Sequence, residues 1–213
     1  MQVTIIDFGS GNLRSAAKAF ESAARDLNLP CRVVVSDAAA DLAAATHIVL
    51  PGDGAYADCK RGLDALPGMI EALTRAVRQD GRPFLGICVG MQLLATRGTE
   101  HGVTPGLDWV QGDCVRLAPA DPTLKIPHMG WNDLVIRRAH PLLAGIAPSA
   151  HAYFVHSYHI VTRDPGDVIA TAEYGGDVTA IVARANIAGT QFHPEKSQSA
   201  GLRLLGNFLK WRP

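Results

Sequence analysis

The sequence lacks an excess of charge of either sign, since its 20 basic and 20 acidic side chains give a formal net charge of zero. Proteins that bind a nucleic-acid backbone or an anionic membrane surface ordinarily carry a clear positive excess. We therefore expect neither nucleic acid nor a membrane among the partners.

Long apolar runs are also missing. No run approaches the roughly 20 residues that a helix needs to cross a bilayer, and no basic N-terminal region leads into an apolar segment with a small-residue cleavage site. The sequence predicts a cytoplasmic protein.

Cysteine is scarce, and no Cys-x-x-Cys pair occurs among Cys31, Cys59, Cys88 and Cys114. The histidines lack the spacing of metal ligands as well, so we expect no metal and read three of the cysteines as packing residues. A possible dinucleotide fingerprint at Gly9-Ser10-Gly11 fails because Arg14 stands where the third glycine belongs. We expect no cofactor.

The first half of the chain alternates apolar β-rich runs with helical stretches. A length of 213 residues with 47% apolar side chains suits one α/β domain covering residues 1–213. Continuous apolar strands indicate a doubly wound, mostly parallel sheet with helices on both faces. The predicted strands are 3–7, 31–35, 47–50 and 84–88, and the predicted helical stretches are 13–27, 37–45 and 58–79 with a break at Pro67-Gly68.

The second half consists of short runs joined by Gly, Pro and Asp. We interpret these runs as antiparallel strands that elaborate the edge of the sheet. They cover residues 114–117, 134–136, 153–161, 168–174, 178–184 and 187–192, and an amphipathic helix over 199–211 follows.

Cys88 is the first candidate for chemistry. It ends a predicted strand between Gly86 and Gly90 and leads into a predicted helix, which is the pattern of a nucleophile elbow. The positive end of the helix dipole beside the sulfur would favour the thiolate. A free cysteine is more often a small buried apolar residue, so the assignment depends on finding a base.

The candidate base is His193, which follows the last predicted strand. Residues two apart in extended backbone share a face, so Glu195 can orient the His193 ring. A second loop after a strand, Pro51-Gly52-Asp53-Gly54, can supply a backbone donor for an oxyanion from Gly52, while Val89 after the nucleophile supplies the other. Active sites of open α/β sheets lie at the carboxyl ends of strands, where all these residues fall.

The Gly86–Gln92 block and His193-Pro194-Glu195 resemble the class I (triad) glutamine amidotransferases. Three further blocks resemble the glutaminase subunits of imidazole glycerol phosphate synthases. These blocks are residues 7–15, 127–132 and 155–158, so the resemblance extends from residue 7 to residue 196.

The resemblance implies a role for each matching residue. Cys88 would be the nucleophile, His193 the base and then acid, and Glu195 the orienting carboxylate. The glutamine site would be lined by Gly52, Gly90, Gln92 and Glu100, with backbone groups from Ser157 and Tyr158, and the partner would face Asn12, Trp131, Tyr153 and Lys196.

Asp53 departs from the pattern, because many members of the family would carry a small apolar residue such as valine there. An inward carboxylate would oppose the developing negative charge of an oxyanion. We expect Asp53 to point to solvent.

The resemblance also implies L-glutamine as substrate and a heterodimer with a (β/α)₈-barrel cyclase subunit that receives the ammonia. Alternatives are another class I amidotransferase, a free-standing cysteine hydrolase, or an inactive regulatory module on the same scaffold. The Gly-Ser-Gly-Asn and Pro-His-Met-Gly-Trp motifs argue against the first two, and the complete set of three catalytic residue types argues against the third.

Overall fold

The apolar runs of the first half form the parallel strands that the sequence predicts. A computed structural model describes residues 1–213. Its strands are β1 (Gln2–Ile6), β2 (Arg32–Ser36), β3 (His47–Gly52), β4 (Phe84–Cys88), β5 (Arg97–Gly98), β6 (Thr104–Pro105), β7 (Gly112–Arg116), β8 (His128–Asp133), β9 (Val135–Ile136), β10 (His151–His156), β11 (Tyr158–Thr162), β12 (Val168–Glu173), β13 (Asp177–Arg184) and β14 (Ile187–Thr190). Its α-helices are α1 (Leu13–Asp26), α2 (Tyr56–Ala65), α3 (Met69–Leu73), α4 (Val89–Gln92) and α5 (Gln198–Lys210).

Eight strands form the central sheet in the order β2-β1-β3-β4-β14-β13-β12-β9. The first five pair in parallel, and the last three are antiparallel to their neighbours. The helices form two packed groups, α1 with α5 and α2 with α3. The prediction of a mostly parallel α/β sheet with an antiparallel edge is confirmed.

The antiparallel prediction for the last strand was right for one of its two neighbours and wrong for the other. β14 is antiparallel to β13, which precedes it in the chain, but it runs parallel to β4, with Thr190 beside Ile87. Because of this pairing, the carboxyl ends of β4 and β14 are neighbours, and the segments that carry Cys88 and His193 begin at the same edge of the sheet.

The predicted strand over 153–161 was also wrong, since it divides at Ser157 into two strands of different sheets. β10 pairs with β8 in a two-stranded ribbon, whereas β11 joins a four-stranded sheet of order β11-β7-β5-β6. β8 was not predicted as a strand. Its Gly130 has a φ of +127°, and this break in the alternation of side chains conceals the strand in the sequence.

Helix lengths differ from the predictions where local geometry changes. The 37–45 segment forms a 3₁₀-helix over Ala39–Ala44, and the 58–79 stretch breaks at Gly68, which has a left-handed φ of +67°. The helix after Cys88 has only four residues. No helix is long and apolar enough to span a membrane.

Candidate active site

Cys88 ends β4 in a strained backbone conformation. Its φ of +55° and ψ of −112° are rare for a residue with a side chain. A Cβ on Gly86 would lie 2.5 Å from the Gly90 carbonyl oxygen, and one on Gly90 would lie 1.8 Å from the Leu50 carbonyl oxygen. The turn therefore requires glycine at both positions, as the elbow pattern predicts.

His193 lies just beyond β14 and is oriented by Glu195. The distance from His193 Nδ1 to Glu195 Oε1 is 2.8 Å, and the two side chains are 6% and 3% exposed. This contact leaves Nε2 as the ring nitrogen available to the Cys88 sulfur. The His193 backbone is fixed by its N–H, which donates to the Tyr153 carbonyl, and by its carbonyl, which accepts from Ser197 Oγ.

The environment of His193 favours its charged form. Burial alone would lower the pKa of His193, but hydrogen bonds and charge interactions with the Cys88 sulfur and the Glu195 carboxylate outweigh burial and raise the pKa well above its ordinary value. An imidazolium beside the sulfur stabilises a thiolate and holds a proton that it can give to a leaving group.

The Cys88 sulfur and His193 border a pocket of about 300 Å³. Gln92 and Glu100 are at its wall, together with Ser157 and Tyr158, as the resemblance implies. Pocket residues that were not predicted are Asp53, Gly54, Pro127, Val155 and His156.

Glu100 has a second contact besides the pocket. Its Oε2 accepts a 2.7 Å hydrogen bond from the backbone N–H of Tyr56, the first residue of α2. A carboxylate at this position satisfies one of the unpaired N–H groups of a helix N-terminus. The packing of α2 therefore fixes Glu100 beside the pocket.

Gly52 and Gly90 are not among the residues that border this pocket, and their roles in the glutamine site stay predictions. Their backbones pack closely against each other, since a Cβ on Gly52 would lie 3.0 Å from the Gly90 nitrogen. Their neighbours Asp53, Gly54 and Val89 reach the pocket instead.

Asp53 is exposed, but contacts with the first loop of the chain hold its side chain. Its Oδ1 accepts from Ser10 Oγ and from the Gly11 N–H, each at 3.2 Å. Its own N–H donates to Ser10 Oγ at 3.0 Å, and its carbonyl, 2.6 Å from Ser10 Oγ, shares the single hydroxyl hydrogen with Oδ1. Asp53 is therefore exposed, as expected, and its side chain is also hydrogen-bonded to the first loop.

Three of the four residues expected at a partner interface form one patch. The Trp131 and Tyr153 rings meet edge to face with centroids 5.9 Å apart, and Lys196 Nζ lies 5.7 Å from the centre of the Tyr153 ring. Trp131 is 49% exposed. Asn12 is exposed and caps α1, where its side chain accepts from the Ser15 N–H.

The remaining cysteines are free, and Cys59 and Cys114 are buried as expected of packing residues. Burial raises the pKa of both thiols, which keeps them protonated. No group of three or more His, Cys, Asp or Glu side chains is arranged to hold a metal ion.

Sequence reasoning missed two buried polar side chains near Cys88. His156 lines the pocket, and Gln191 Nε2 lies 3.8 Å from the Cys88 sulfur. His156 lies inside the 155–158 block of the resemblance, and Gln191 lies two residues before His193, so their positions in the sequence were the available signal.

A family model described as glutamine amidotransferase class-I matches residues 4–211. The chain is similar to proteins named imidazole glycerol phosphate synthase subunit HisH: 59% identical to that of Agrobacterium fabrum and 58% to that of Rhizobium meliloti. Both comparisons cover 100% of each sequence.

Solved structures with much lower sequence identity share the fold. A crystal structure described as a glutamine amidotransferase has a TM-score of 0.70 at 20% identity, over 98% of this chain and 97% of that one. The glutaminase domain of Trypanosoma brucei CTPS with bound acivicin has a TM-score of 0.65 at 16% identity, over 100% and 95% of the two chains.

Proposed function

The chain belongs to the class I glutamine amidotransferases, and we propose that within this family it is the glutaminase subunit of an imidazole glycerol phosphate synthase. It hydrolyses glutamine to glutamate and delivers ammonia to a cyclase subunit in histidine biosynthesis. The full-length identity of 58–59% to relatives of that name supports this assignment.

The catalytic part of this proposal rests on the arrangement of side chains at the carboxyl ends of β4 and β14. A cysteine on a strained elbow shares a pocket with a histidine, and a buried carboxylate 2.8 Å from Nδ1 holds that histidine in place. Nucleophile, base and orienting group are thus within one site.

The first half-reaction forms a thioester. The Cys88 thiolate attacks the side-chain amide carbon of glutamine, and backbone N–H groups from Gly52 and Val89 stabilise the resulting oxyanion. The His193 imidazolium gives its proton to the departing nitrogen. The carbon–nitrogen bond breaks, and ammonia leaves.

The second half-reaction regenerates the enzyme. His193, now neutral, takes a proton from a water molecule that attacks the thioester carbonyl. The carbon–sulfur bond breaks, glutamate leaves, and the thiolate and imidazolium are restored. Gln92, Glu100 and the backbone of Ser157 and Tyr158 position glutamine throughout.

Ammonia released into water at neutral pH would mostly be protonated and lose its nucleophilicity. A channel to an acceptor site on a second subunit avoids this loss. The partner we propose is a (β/α)₈-barrel cyclase that forms a heterodimer with this chain and docks on the patch of Trp131, Tyr153 and Lys196, with Asn12 at its margin.

The test is to measure glutamate release by the purified chain alone, with the cyclase, and with the cyclase and its ligand. We expect weak hydrolysis alone, strong stimulation by the liganded partner, and no hydrolysis in Cys88→Ala. Strong hydrolysis by the isolated chain that the cyclase does not change would contradict the subunit assignment. No hydrolysis under any condition would favour the inactive regulatory module.

A further inference from the structure

Gln191 contacts the Cys88 sulfur from behind the pocket wall. It follows β14, its side chain is fully buried, and it is not among the residues that line the pocket. Its Nε2 lies 3.8 Å from Cys88 Sγ, which is within the range of an N–H···S hydrogen bond. The side chain therefore contacts the sulfur without bordering the pocket.

The orientation of the Gln191 amide is fixed by Gln92. Gln92 Nε2 donates one hydrogen to the Tyr158 carbonyl at 2.9 Å and the other to Gln191 Oε1 at 3.1 Å. Since an amide nitrogen has two hydrogens and both are used, Gln191 must turn its oxygen to Gln92. Its nitrogen then faces the sulfur as a donor.

A pair of histidines continues the network beyond Tyr158. The Tyr158 carbonyl can only accept, so His156 Nδ1, 2.8 Å away, carries a hydrogen. Burial lowers the pKa of His156 and His128, so both rings are neutral near pH 7. His128 Nδ1 therefore donates to His156 Nε2 at 3.0 Å, and Asn132 Nδ2 donates to His128 Nε2 at 3.1 Å.

The four-residue length of α4 explains why the sulfur needs such a donor. The peptide dipoles of so short a helix sum to a small field, so the elbow stabilises an anion less than a long helix would. A buried anion without enough donors is costly. We propose that Gln191 donates a hydrogen bond to Cys88 Sγ and stabilises its thiolate, and that Gln92, Tyr158 and the His156–His128 pair hold the Gln191 amide in this orientation.

Other charged or titratable groups surround the sulfur as well. His193 with Glu195 lies on the β14 side, and the thiols of Cys59 and Cys114 approach from α2 and β7. The carboxylates of Asp53 and Glu100 and the imidazole of His156 face the same pocket. A test of Gln191 must therefore change its donor and leave these groups in place.

The experiment follows alkylation of Cys88 by iodoacetamide as a function of pH, with peptide mass mapping to separate the four cysteines. Gln191→Met keeps the length of the side chain and removes the donor. We expect the pH of half-maximal alkylation to move upward by about one unit, a tenfold change in the thiolate equilibrium. Gln191→Glu, which replaces the donor with a carboxylate, should move it further.

Asn186→Leu is the matched control, because Asn186 is a partly buried amide just before β14, at the opposite end of that strand. Its Nδ2 donates to the Val77 and Arg82 carbonyls. This variant should lose stability without any change in the alkylation profile. If Gln191→Met does not fold, Gln191→Glu carries the test, since it retains the size of the side chain.

A profile for the Gln191 variants that superimposes on that of the parent would overturn the proposal, as would a rise in the KM for glutamine alone. The role in glutamine hydrolysis rests on the proposed function, but the alkylation needs no glutamine. A shifted profile in a chain that does not hydrolyse glutamine would therefore reject the proposed function and retain the hydrogen bond.

Discussion

Glu195 stabilises the charged form of His193 without touching the pocket. It is buried and absent from the pocket lining, so its contribution reaches the substrate only through the His193 ring. Removing its charge while keeping its shape separates catalysis from binding.

We predict that Glu195→Gln lowers kcat for glutamine hydrolysis by roughly 10²-fold or more, because the imidazolium loses its buried counter-charge. KM should change little. Steady-state glutamate release in the presence of the liganded partner measures both constants, with Asp64→Asn on α2 as an exposed acid control. A decrease of less than about threefold in kcat would contradict the orienting role.

Asp53 presents a different case, because its side chain is tied to the loop that precedes α1. Its Oδ1 accepts from Ser10 and Gly11, and an asparagine Oδ1 can accept the same bonds. A valine cannot. The residue therefore connects the candidate oxyanion loop to the N-terminal loop of the chain.

We predict that Asp53→Val unfolds at lower urea concentration than Asp53→Asn, with a difference of about 1 kcal/mol in the free energy of unfolding. Equal stabilities would show that these hydrogen bonds contribute nothing measurable. Glutamine hydrolysis without the partner should be measured on the same samples. A large rise in the rate of this partner-independent hydrolysis in Asp53→Val would show that the carboxylate restrains the oxyanion loop.

At the scale of elements, the sequence predicted the parts of the fold that depend on short-range patterns. The strand ending at Cys88 and its two glycines could be predicted, because a tight turn excludes a Cβ at those positions. The length of α4 could not, since the apolar residues after Gln92 continue a helical pattern. They are buried for a different reason, as part of the core.

The sheet assignments of the second half depended on distant partners. Residues 153–161 form one run rich in aromatic and β-branched residues, yet β10 and β11 separate at Ser157 because β8 and β7 pair with different halves of it. Gln191 and His156 were missed for the same reason. Their contacts with Cys88 and His128, respectively, join segments that are far apart in the chain.

The ribbon of β8 and β10 contains two buried neutral histidines, which makes its stability sensitive to acid. Burial lowers the pKa of His156 to about 3 and that of His128 to about 4. Below the unfolded value of about 6.5 the unfolded chain binds protons that the folded ribbon does not. The contribution of these two neutral histidines to the free energy of unfolding is therefore complete above about pH 6.5. It is lost as the pH falls towards their pKa values in the folded state.

We predict that His156→Gln flattens the decline in unfolding free energy between pH 6.5 and 4.5. One histidine contributes at most about 1.4 kcal/mol per pH unit. Urea unfolding across this range provides the measurement. His151→Gln is the control, since that side chain lies on the same ribbon but is 70% exposed. If the unfolding free energy of the parent and that of His156→Gln change equally with pH, the assignment of a neutral buried ring is contradicted.

At the scale of the whole molecule, the ribbon presents an apolar face beside the active site. Trp131 and Met129 lie two residues apart on β8 and are 49% and 67% exposed. Their cross-strand neighbours are Tyr153 and Val155, and Val155 also lines the pocket. An exposed apolar face of this kind usually marks a protein interface.

We predict that Trp131→Ala weakens binding of the cyclase by at least tenfold, as expected for a central aromatic residue of an interface. Titration calorimetry with the purified cyclase measures the affinity. Val161→Ala, which removes an equally exposed apolar side chain from β11, should bind as the parent does. Unchanged affinity in Trp131→Ala would place the interface elsewhere.

Lys196 offers a physical connection between that apolar face and His193. Its backbone N–H donates to the His193 carbonyl, and its ammonium group lies over the Tyr153 ring of the ribbon. Lys196 also directly follows Glu195. A partner that engages this ammonium would therefore act on the turn that holds His193 and Glu195 together.

We predict that Lys196→Ala reduces the stimulation of glutamine hydrolysis by the liganded cyclase more than it reduces the affinity for the cyclase. The alanine variant retains the Trp131 face but loses the connection to the His193 turn. Lys196→Arg keeps the charge over Tyr153 and should retain most of the stimulation. Glutamate release at saturating cyclase, with and without its ligand, separates the two effects. If both affinity and stimulation are unchanged in Lys196→Ala, signals from the partner must reach Cys88 by another route, such as the ribbon histidines and Gln191.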